Sequence, residues 1–251
     1  MLGPKIGGSV IFLDETDSTN SHAARLLHES YLEEGTAIMA QYQRSGRGQS
    51  GTGWESLKGE NLLCSIVLYP LFLEAREQFL LNQTIALAVH DTLQQLTGKE
   101  VSIKWPNDIL IEGQKIAGIL IENTIRNSRL NQSIIGIGIN VNQTAFQSYI
   151  PQAVSVSQLT GNRTDLTECM AILCSQIDKW YTALHIGQHE KIRETYLRHL
   201  FRLNLISEFS DGENRFSGSI TGITSDGKLE IYSEGKKIEI FSVKEIKLLS
   251  Y

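Results

Sequence analysis

The chain has no apolar run long enough to span a bilayer, and its opening residues, Met1-Leu2-Gly3-Pro4-Lys5, lack the apolar centre of a secretory leader. The expectation is a cytoplasmic protein with no membrane partner. Positive charge is not in excess either. Twenty-three Lys and Arg against 28 Asp and Glu give a formal net charge of -5, which argues against the clustered basic surface of a nucleic-acid partner. Cysteine is scarce. Cys64, Cys169 and Cys174 are an odd number at no metal-like spacing and read as reduced, buried thiols. No Gly-Lys-Ser/Thr completes a phosphate-binding Walker A loop, and no Cys-His or Ser-His-Asp pattern marks a covalent nucleophile. Internal repeats and low-complexity segments are also missing.

What remains is an ordinary globular composition, 41% hydrophobic and 20% charged over 251 residues, enough for one large domain with or without a small one. The stretch that stands out is Gln43-Arg44-Ser45-Gly46-Arg47-Gly48-Gln49-Ser50-Gly51-Thr52-Gly53-Trp54. Its glycines permit close backbone approaches, and successive free N–H groups in such a loop form an anion-binding concavity. Arg47, set between two glycines, adds a forked permanent cation suited to carboxylate or phosphate. Trp54 offers either a flat face for a ring or a core anchor. A mobile hairpin loop is the bland alternative. Gly46, Gly48 and Gly51 fit a dinucleotide fingerprint by spacing, but Gly53 argues against the helix that should open there.

A strand is expected at 9–13, followed by a helix starting near 18–20 behind the cluster Ser18-Thr19-Asn20. Capping accounts for one of these three residues, and the surplus is available to line a ligand pocket. Strands at 36–40 and 61–68 hold the glycine loop at both ends. Residues 74–96 read as an amphipathic structural helix with His90 on its polar face. Strands follow at 101–104, 108–111, 115–122 and 131–141, with turns at Trp105-Pro106-Asn107-Asp108 and Glu112-Gly113-Gln114. In Gly136-Ile137-Gly138-Ile139-Asn140, alternation places both glycines and the asparagine on one face. An irregular stretch to about Thr160, helices at 165–184 and 190–200, and about five short strands after Leu205 complete the pattern. Those strands have turns at Asp211-Gly212, Asp226-Gly227 and Glu234-Gly235 and read as a small β-barrel. His185 and His189 have i, i+4 spacing but Gly187 between them and no third ligand.

Lysines inside a sheet need partners. Lys104 and Lys115 flank the Trp-Pro-Asn-Asp turn, and with Arg44 and Arg47 they make four cations near one expected pocket. Taken singly, Lys104 fits a solvated strand edge and Lys115 a hairpin end. Together, cations and backbone amides without a nucleophile suit phosphoryl or nucleotidyl transfer.

Four blocks in order, Gly46-Arg47-Gly48 with Trp54, Lys104-Trp105-Pro106-Asn107-Asp108, Lys115-Ile116-Ala117-Gly118-Ile119-Leu120 and Gly136-Ile137-Gly138-Ile139-Asn140, closely resemble the signature of biotin protein ligases, as does Ser18-Thr19-Asn20 upstream. The resemblance covers nearly the whole chain. It implies an α+β fold, a mixed sheet flanked by helices like the class II aminoacyl-tRNA synthetase and biotin ligase catalytic domain, over 1–202. A small C-terminal SH3-like β-barrel over 203–251 would follow. It also implies ATP, biotin and Mg²⁺, a biotinyl-5′-AMP intermediate, and a biotin carboxyl carrier protein or domain as partner, with monomer or homodimer left open. By the same resemblance Ser18, Thr19, Asn20, Gln43, Gly46, Arg47, Gly48, Lys115 and Gly118 bind biotin. Arg47, Trp54, Asn107, Lys115 and Asn140 bind ATP, and Lys115, Arg47, Lys104 and Asp108 promote adenylation.

The chain departs from the fuller family pattern at Gln49 and Ser50, where a second basic residue often stands, which shifts adenylate retention toward Arg47 and Lys115. Residues 143–160 hold no tryptophan, leaving Phe146 or Tyr149 to cover adenine, and Leu249, with Lys247 nearby, stands where some relatives place an arginine. Nothing before Ser9 suggests a helix-turn-helix, so the repressor function of some relatives is expected to be absent. A lipoate–protein ligase and a non-catalytic ligand sensor are the competing readings. The Gly-Arg-Gly loop with Ser-Thr-Asn favours biotin over lipoate, and the intact Arg47 and Lys115 weigh against a sensor.

Overall fold

The structure, a computed structural model, describes residues 5–147, 152–233 and 237–249, apart from the Ser50 side chain. The expected Glu234-Gly235 turn and Tyr149 lie outside the described residues.

The chain opens with β1 (Val10–Leu13), α1 (Thr19–Glu29) and β2 (Ala37–Ala40). β1 and β2 pair in parallel, and parallel neighbours need a crossover, which α1 supplies. β3 (Leu62–Leu68) then runs antiparallel to β2. A 3₁₀ turn at Ala75–Glu77 leads into α2 (Gln78–Thr97). Gly98, in the left-handed region at φ 64°, closes that helix.

Three strands complete the sheet: β4 (Val101–Lys104), β5 (Asp108–Ile111) and β6 (Gln114–Arg126), with β7 (Arg129–Ile139) returning along β6. The turns Glu112-Gly113 and Asn127-Ser128 both place two consecutive residues at positive φ, the geometry whose twist suits a two-residue hairpin. β6 and β7 extend beyond the expected 115–122 and begin before the expected 131. A tight Asn-Ser turn lets the ladder continue to Arg126 and Arg129, where alternation of polar side chains hides the strand signal. The sheet is mixed, in the order β1-β2-β3-β7-β6-β5-β4.

α3 (Val156–Thr160) is a short helix inside the stretch expected to be irregular, and its Ser155–Gln158 capping box supplies its N-terminus. α4 (Leu166–His185), capped by Asp165, and α5 (His189–Arg198) follow. α2 and α4 cover one face of the sheet, and α1 with the glycine loop covers the other.

α2 is not the amphipathic surface helix its spacing suggests. Twelve of its residues are buried, Gln83, Thr84, His90 and Thr92 among them. Sheet, α4 and α5 enclose it, and its two buried threonines are satisfied within the helix: Thr84 and Thr92 hydroxyls donate to carbonyls one turn back. His90 is therefore a core residue. It is 2% exposed, bonded to Asp91 and packed on the His199 ring at 4.0 Å.

The last five strands, β8 (Ile206–Ser210), β9 (Arg215–Ile223), β10 (Leu229–Ser233), β11 (Ile238–Phe241) and β12 (Lys247–Leu248), form a second sheet, antiparallel throughout, in the order β11-β10-β9-β8-β12. Phe209, Ile220, Leu229 and Ile231 join the main apolar cluster. The β9–β10 turn touches Phe79 of α2, and its Gly227 carbonyl accepts the Trp105 indole N–H at 2.9 Å. Trp105 of the Trp-Pro-Asn-Asp turn, whose peptide to Pro106 is cis, thus anchors the small sheet to the large one.

The three thiols are buried and unpaired by disulfide. Burial pushes the Cys64 thiol well up, Cys169 up to about 12 and Cys174 up to about 11. Thiols so held are not nucleophiles.

Candidate active site

Alternation along three adjacent strands builds the floor of a cavity of about 980 Å³. Ser65, Gly136 and Leu120 lie in one cross-strand row, and Leu63, Gly138 and Gly118 in the next, which Asp108 continues. Both glycines of β7 are required by what lies on them. A methyl at Gly136 would strike the Asn20 carboxamide, and one at Gly138 would strike the Trp54 ring. The missing Cβ atoms let α1 and the glycine loop rest directly on the sheet.

The head of the cavity is polar and already ordered. Ser18 occupies the N-cap position of α1 but makes no cap hydrogen bond. Gln43 does that work from the neighbouring chain segment: its Oε1 accepts from the Thr19 backbone N–H at 2.7 Å and from the Thr19 hydroxyl at 3.1 Å. Loss of such a cap costs about 1 kcal/mol. Ser65 donates its one hydroxyl proton toward Thr19 Oγ1 at 2.8 Å or Asn20 Oδ1 at 2.6 Å. The surplus polarity of Ser18-Thr19-Asn20 therefore faces a cavity, with all three residues 3% exposed or less.

The loop from Arg44 to Trp54 folds on itself. Gly48 N–H donates to Thr52 C=O at 2.7 Å, Trp54 N–H donates to Gly46 C=O at 2.9 Å, and a 3₁₀ turn spans Gln49–Gly51. Its entry is tied to the chain before α1 by Arg44 N–H to Thr16 C=O and Ser45 N–H to Asp17 C=O, both 2.9 Å. Trp54 serves as the anchor that was one of its two expected uses: its ring lies over Gly118 and Gly138. Its Nε1 is buried without a hydrogen-bond partner, a cost of about 1–3 kcal/mol for a donor in the ligand-free protein.

All four expected cations line the cavity. Lys115 Nζ is 2.6 Å from Asp108 Oδ1 and 5.6 Å from the Trp54 ring centroid. Arg47 Nη2 is 2.7 Å from Glu122 Oε2, and Arg44 Nη1 is 3.3 Å from Glu15 Oε1. Lys104 faces Asp108 in the β4–β5 register. Asn107 and Asn140 line the same cavity, but their amides are committed to backbone. Asn107 Nδ2 donates to Ile119 C=O at 2.5 Å, and Asn140 Nδ2 donates to Val154 C=O at 3.2 Å. These bonds fix the turn after β4 and the exit of β7.

Every residue singled out in the sequence for ligand or chemistry, from Ser18 to Asn140, borders this one space, and Phe146 and Lys247 reach it too. His185 does not belong to it and packs on Phe72 at 4.8 Å. Two polar residues escaped the sequence reading. Ser65 was hidden in an apolar strand, although its pairing opposite Gly136 places it on the site face. Glu122 was taken as the end of a strand, although Gly118-x-Leu120-x-Glu122 alternation points it the same way.

A polar head region, a glycine loop presenting Arg47 and a Lys–Asp pair at the far end make a site for a small molecule with an anionic end that meets a phosphate. That is the layout of an acid-activating ligase. The match to the Biotin/lipoate A/B protein ligase family spans residues 12–140, and the chain belongs to this family. It is 31% identical over 240 residues to the Bifunctional ligase/repressor BirA of Escherichia coli (strain K12), covering 94% of this chain and 73% of that protein. It is 31% identical over 225 residues to the Biotin--[acetyl-CoA-carboxylase] ligase of Paracoccus denitrificans, covering 86% and 91%. Among solved structures, the biotin protein ligase from Aquifex aeolicus in complex with biotin and ATP superposes with a TM-score of 0.80 at 27% identity, covering 97% of this chain and 100% of that one.

Proposed function

We propose that this chain is an ATP-dependent biotin–protein ligase. The biotin carboxylate oxygen attacks the α-phosphorus of ATP, the bond to the β-phosphate bridge breaks, and pyrophosphate leaves, giving biotinyl-5′-AMP. The ε-amine of a lysine on a biotin carboxyl carrier protein or domain then attacks the acyl carbon. AMP departs, the amide forms and the amine loses a proton. The observation that carries this reading is the convergence of Thr19, Asn20 and Gln43 with Arg47 and the Lys115–Asp108 pair around one cavity.

In this reading the polar head seats the ureido ring, while Gly46, Arg47 and Gly48 hold the carboxylate and phosphate with backbone N–H groups and the guanidinium. Lys115 offsets the charge that builds on the α-phosphate during transfer. Trp54 and Phe146 flank the adenine. Mg²⁺ would enter with ATP, on whose phosphates it sits. Residues 1–202 carry the site as one domain, and 203–251 form a second that lends Lys247 to its rim. Among the described residues no helix is long and apolar enough to cross a membrane.

Pyrophosphate release from ATP, measured with biotin and with lipoate, tests the reading. Release with biotin and little with lipoate is expected. Release with lipoate alone would make the chain a lipoate ligase, and binding of biotin with no release from either would make it a sensor.

A further inference from the structure

One carboxylate oxygen ties the polar head of the cavity to its glycine loop. Glu122 Oε2 accepts from Asn20 Nδ2 at 2.7 Å and from Arg47 Nη2 at 2.7 Å. We infer that Glu122 is a positioning residue that sets the head-group asparagine and the loop arginine as one unit, so that occupancy at the biotin end and retention of the adenylate at the phosphate end are coupled. This rests on the ligase reading of the site.

Asn20 is 2% exposed, and its amide has two faces to satisfy. A carboxylate only accepts, so Glu122 can face only the Nδ2 side, and that leaves Oδ1 turned toward the Ser65 hydroxyl at 2.6 Å. The direction of the Asn20 amide is therefore set by Glu122 as much as by α1. Arg47 has the opposite problem. It sits between two glycines, whose backbones do little to restrain it. Among the described residues its salt bridge is to Glu122, and the bond takes one N–H of a group that carries five. The guanidinium can stay on Glu122 and still present donors to an incoming carboxylate or phosphate.

The pair is half exposed, 43% for Arg47 and 39% for Glu122, so its contribution to fold stability is small. Its value is orientation. A purely structural role would appear in melting temperature, whereas a positioning role appears in ligand retention with melting unchanged.

The experiment compares wild type, Glu122→Gln, Glu122→Asp, Arg47→Ala and the Glu122→Gln/Arg47→Ala double variant. Readouts are biotin affinity, the rate at which pre-formed biotinyl-5′-AMP is lost from the protein, and melting temperature. Glu122→Gln is expected to speed adenylate loss roughly tenfold, the size of one charge-assisted hydrogen bond, and to weaken biotin binding, with melting little changed. Glu122→Asp should recover part of the retention. On an Arg47→Ala background, Glu122→Gln should add less than about twofold to the loss rate, because the two residues act as one. Independent, multiplying effects would overturn the inference, and so would unchanged retention in Glu122→Gln. Hydrogen exchange of the Arg47 and Gly48 amides in the ligand-free protein provides a readout free of the reaction. It should speed up in Glu122→Gln, and equal exchange would count against the role even if the wild type released no pyrophosphate. That last result would sink the ligase reading separately.

Discussion

The two faces of the seven-stranded sheet are made by alternate residues of the same strands, and they have been put to opposite uses. Along β7, Ile135, Ile137 and Ile139 point into the α2–α4 layer and are 0–3% exposed, while Gly136 and Gly138 turn to the loop side. On β3, Cys64 and Ile66 face the helices, and Ser65 bonds Thr19 and Asn20. The helix side is filled with branched aliphatic side chains. A polar cluster within it is internally paired: Asp91 accepts from Lys179 at 2.7 Å and from the Trp180 indole at 2.8 Å, and is bonded to His90. The loop side is built from glycine, polar groups and paired charges, and each side leaves buried polar atoms unpartnered, Trp54 Nε1 on the loop side and Tyr196 Oη on the helix side. Aliphatic packing and the glycine and polar residues of the cavity side thus alternate with a period of two residues, and the proposed site is expected to be tunable with little effect on the core.

The sharpest test of that division is Lys115→Ala. Charge builds on the phosphate only during transfer, so the loss should fall on the adenylation rate rather than on biotin affinity. Pyrophosphate release should drop by about two or more orders of magnitude, the usual effect of removing a main electrostatic group. A wild-type rate would remove Lys115 from the chemistry.

Neighbouring residues of one strand provide the next test. Ile137→Val deletes a buried methylene's worth of packing and should cost about 0.5–1.5 kcal/mol of stability in denaturant melts, with biotin affinity held. Gly138→Val puts a branched side chain where Trp54 lies and should weaken ATP-dependent adenylation by about tenfold or more, the loss of one good contact, while costing less stability than Ile137→Ala. If both substitutions moved stability and ligand binding together, the two faces would not be separable.

These contrasts also mark what was legible in the chain. Alternation in Gly-Ile-Gly-Ile, the turn dipeptides and the glycine loop are local signals, and they placed the strands and the loop, whereas most of the cavity-lining residues came from the family resemblance. What was missed depends on packing from a distance. Gln43 replaces Ser18 as the cap of α1 because a segment more than twenty residues away lies against it. His90 is buried because α5 brings His199 over it, which no helical periodicity of α2 can disclose. Glu122 and Ser65 each sit in strands whose hydrophobicity masks them, and only cross-strand register reveals their facing.

The loop itself offers a smaller effect. Four glycines give it many backbone states, and ordering costs roughly 1–2 kcal/mol per fixed residue, against a few backbone bonds, the Trp54 anchor and two solvent-facing ion pairs. Amides of 44–54 should exchange about tenfold more slowly once biotin and ATP, or the adenylate, are bound, because ligand contacts add to those bonds. Closure would shield the mixed anhydride from water. Arg47→Gly should then leak biotinyl-5′-AMP and label non-cognate lysines. Equal exchange in both states would make the loop a fixed wall and leave the ligase assignment intact.

The smallest effect belongs to the helix side and probes whether that face is as inert to ligand as the comparison requires. Burial holds the His199 imidazole below its ordinary value. The adjoining His90 ring of α2 and Arg198 of α5 push the same way, and Asp91 of α2 and Glu100 before β4 oppose them. Lys179 of α4 pairs with Asp91 and lies over the Trp180 ring. A histidine whose folded value is depressed contributes stability that is complete above its unfolded value of about 6.5 and is lost as pH falls through the folded value. Acidification below about 6.5 should therefore lower the melting temperature. His199→Gln should flatten that part of the profile by about 1–2 °C, a small shift because the ring is partly exposed. Asp91 acts further down the scale. Burial alone would raise its carboxyl, but bonds from His90, Lys179 and Trp180 outweigh that and hold it well below the usual carboxylate range. Its contribution persists until the pH falls through that low value. Biotin affinity measured across the same pH range should be unchanged by His199→Gln. A parallel shift in affinity would show that the two faces of the sheet communicate, and the division drawn from β7 would fail.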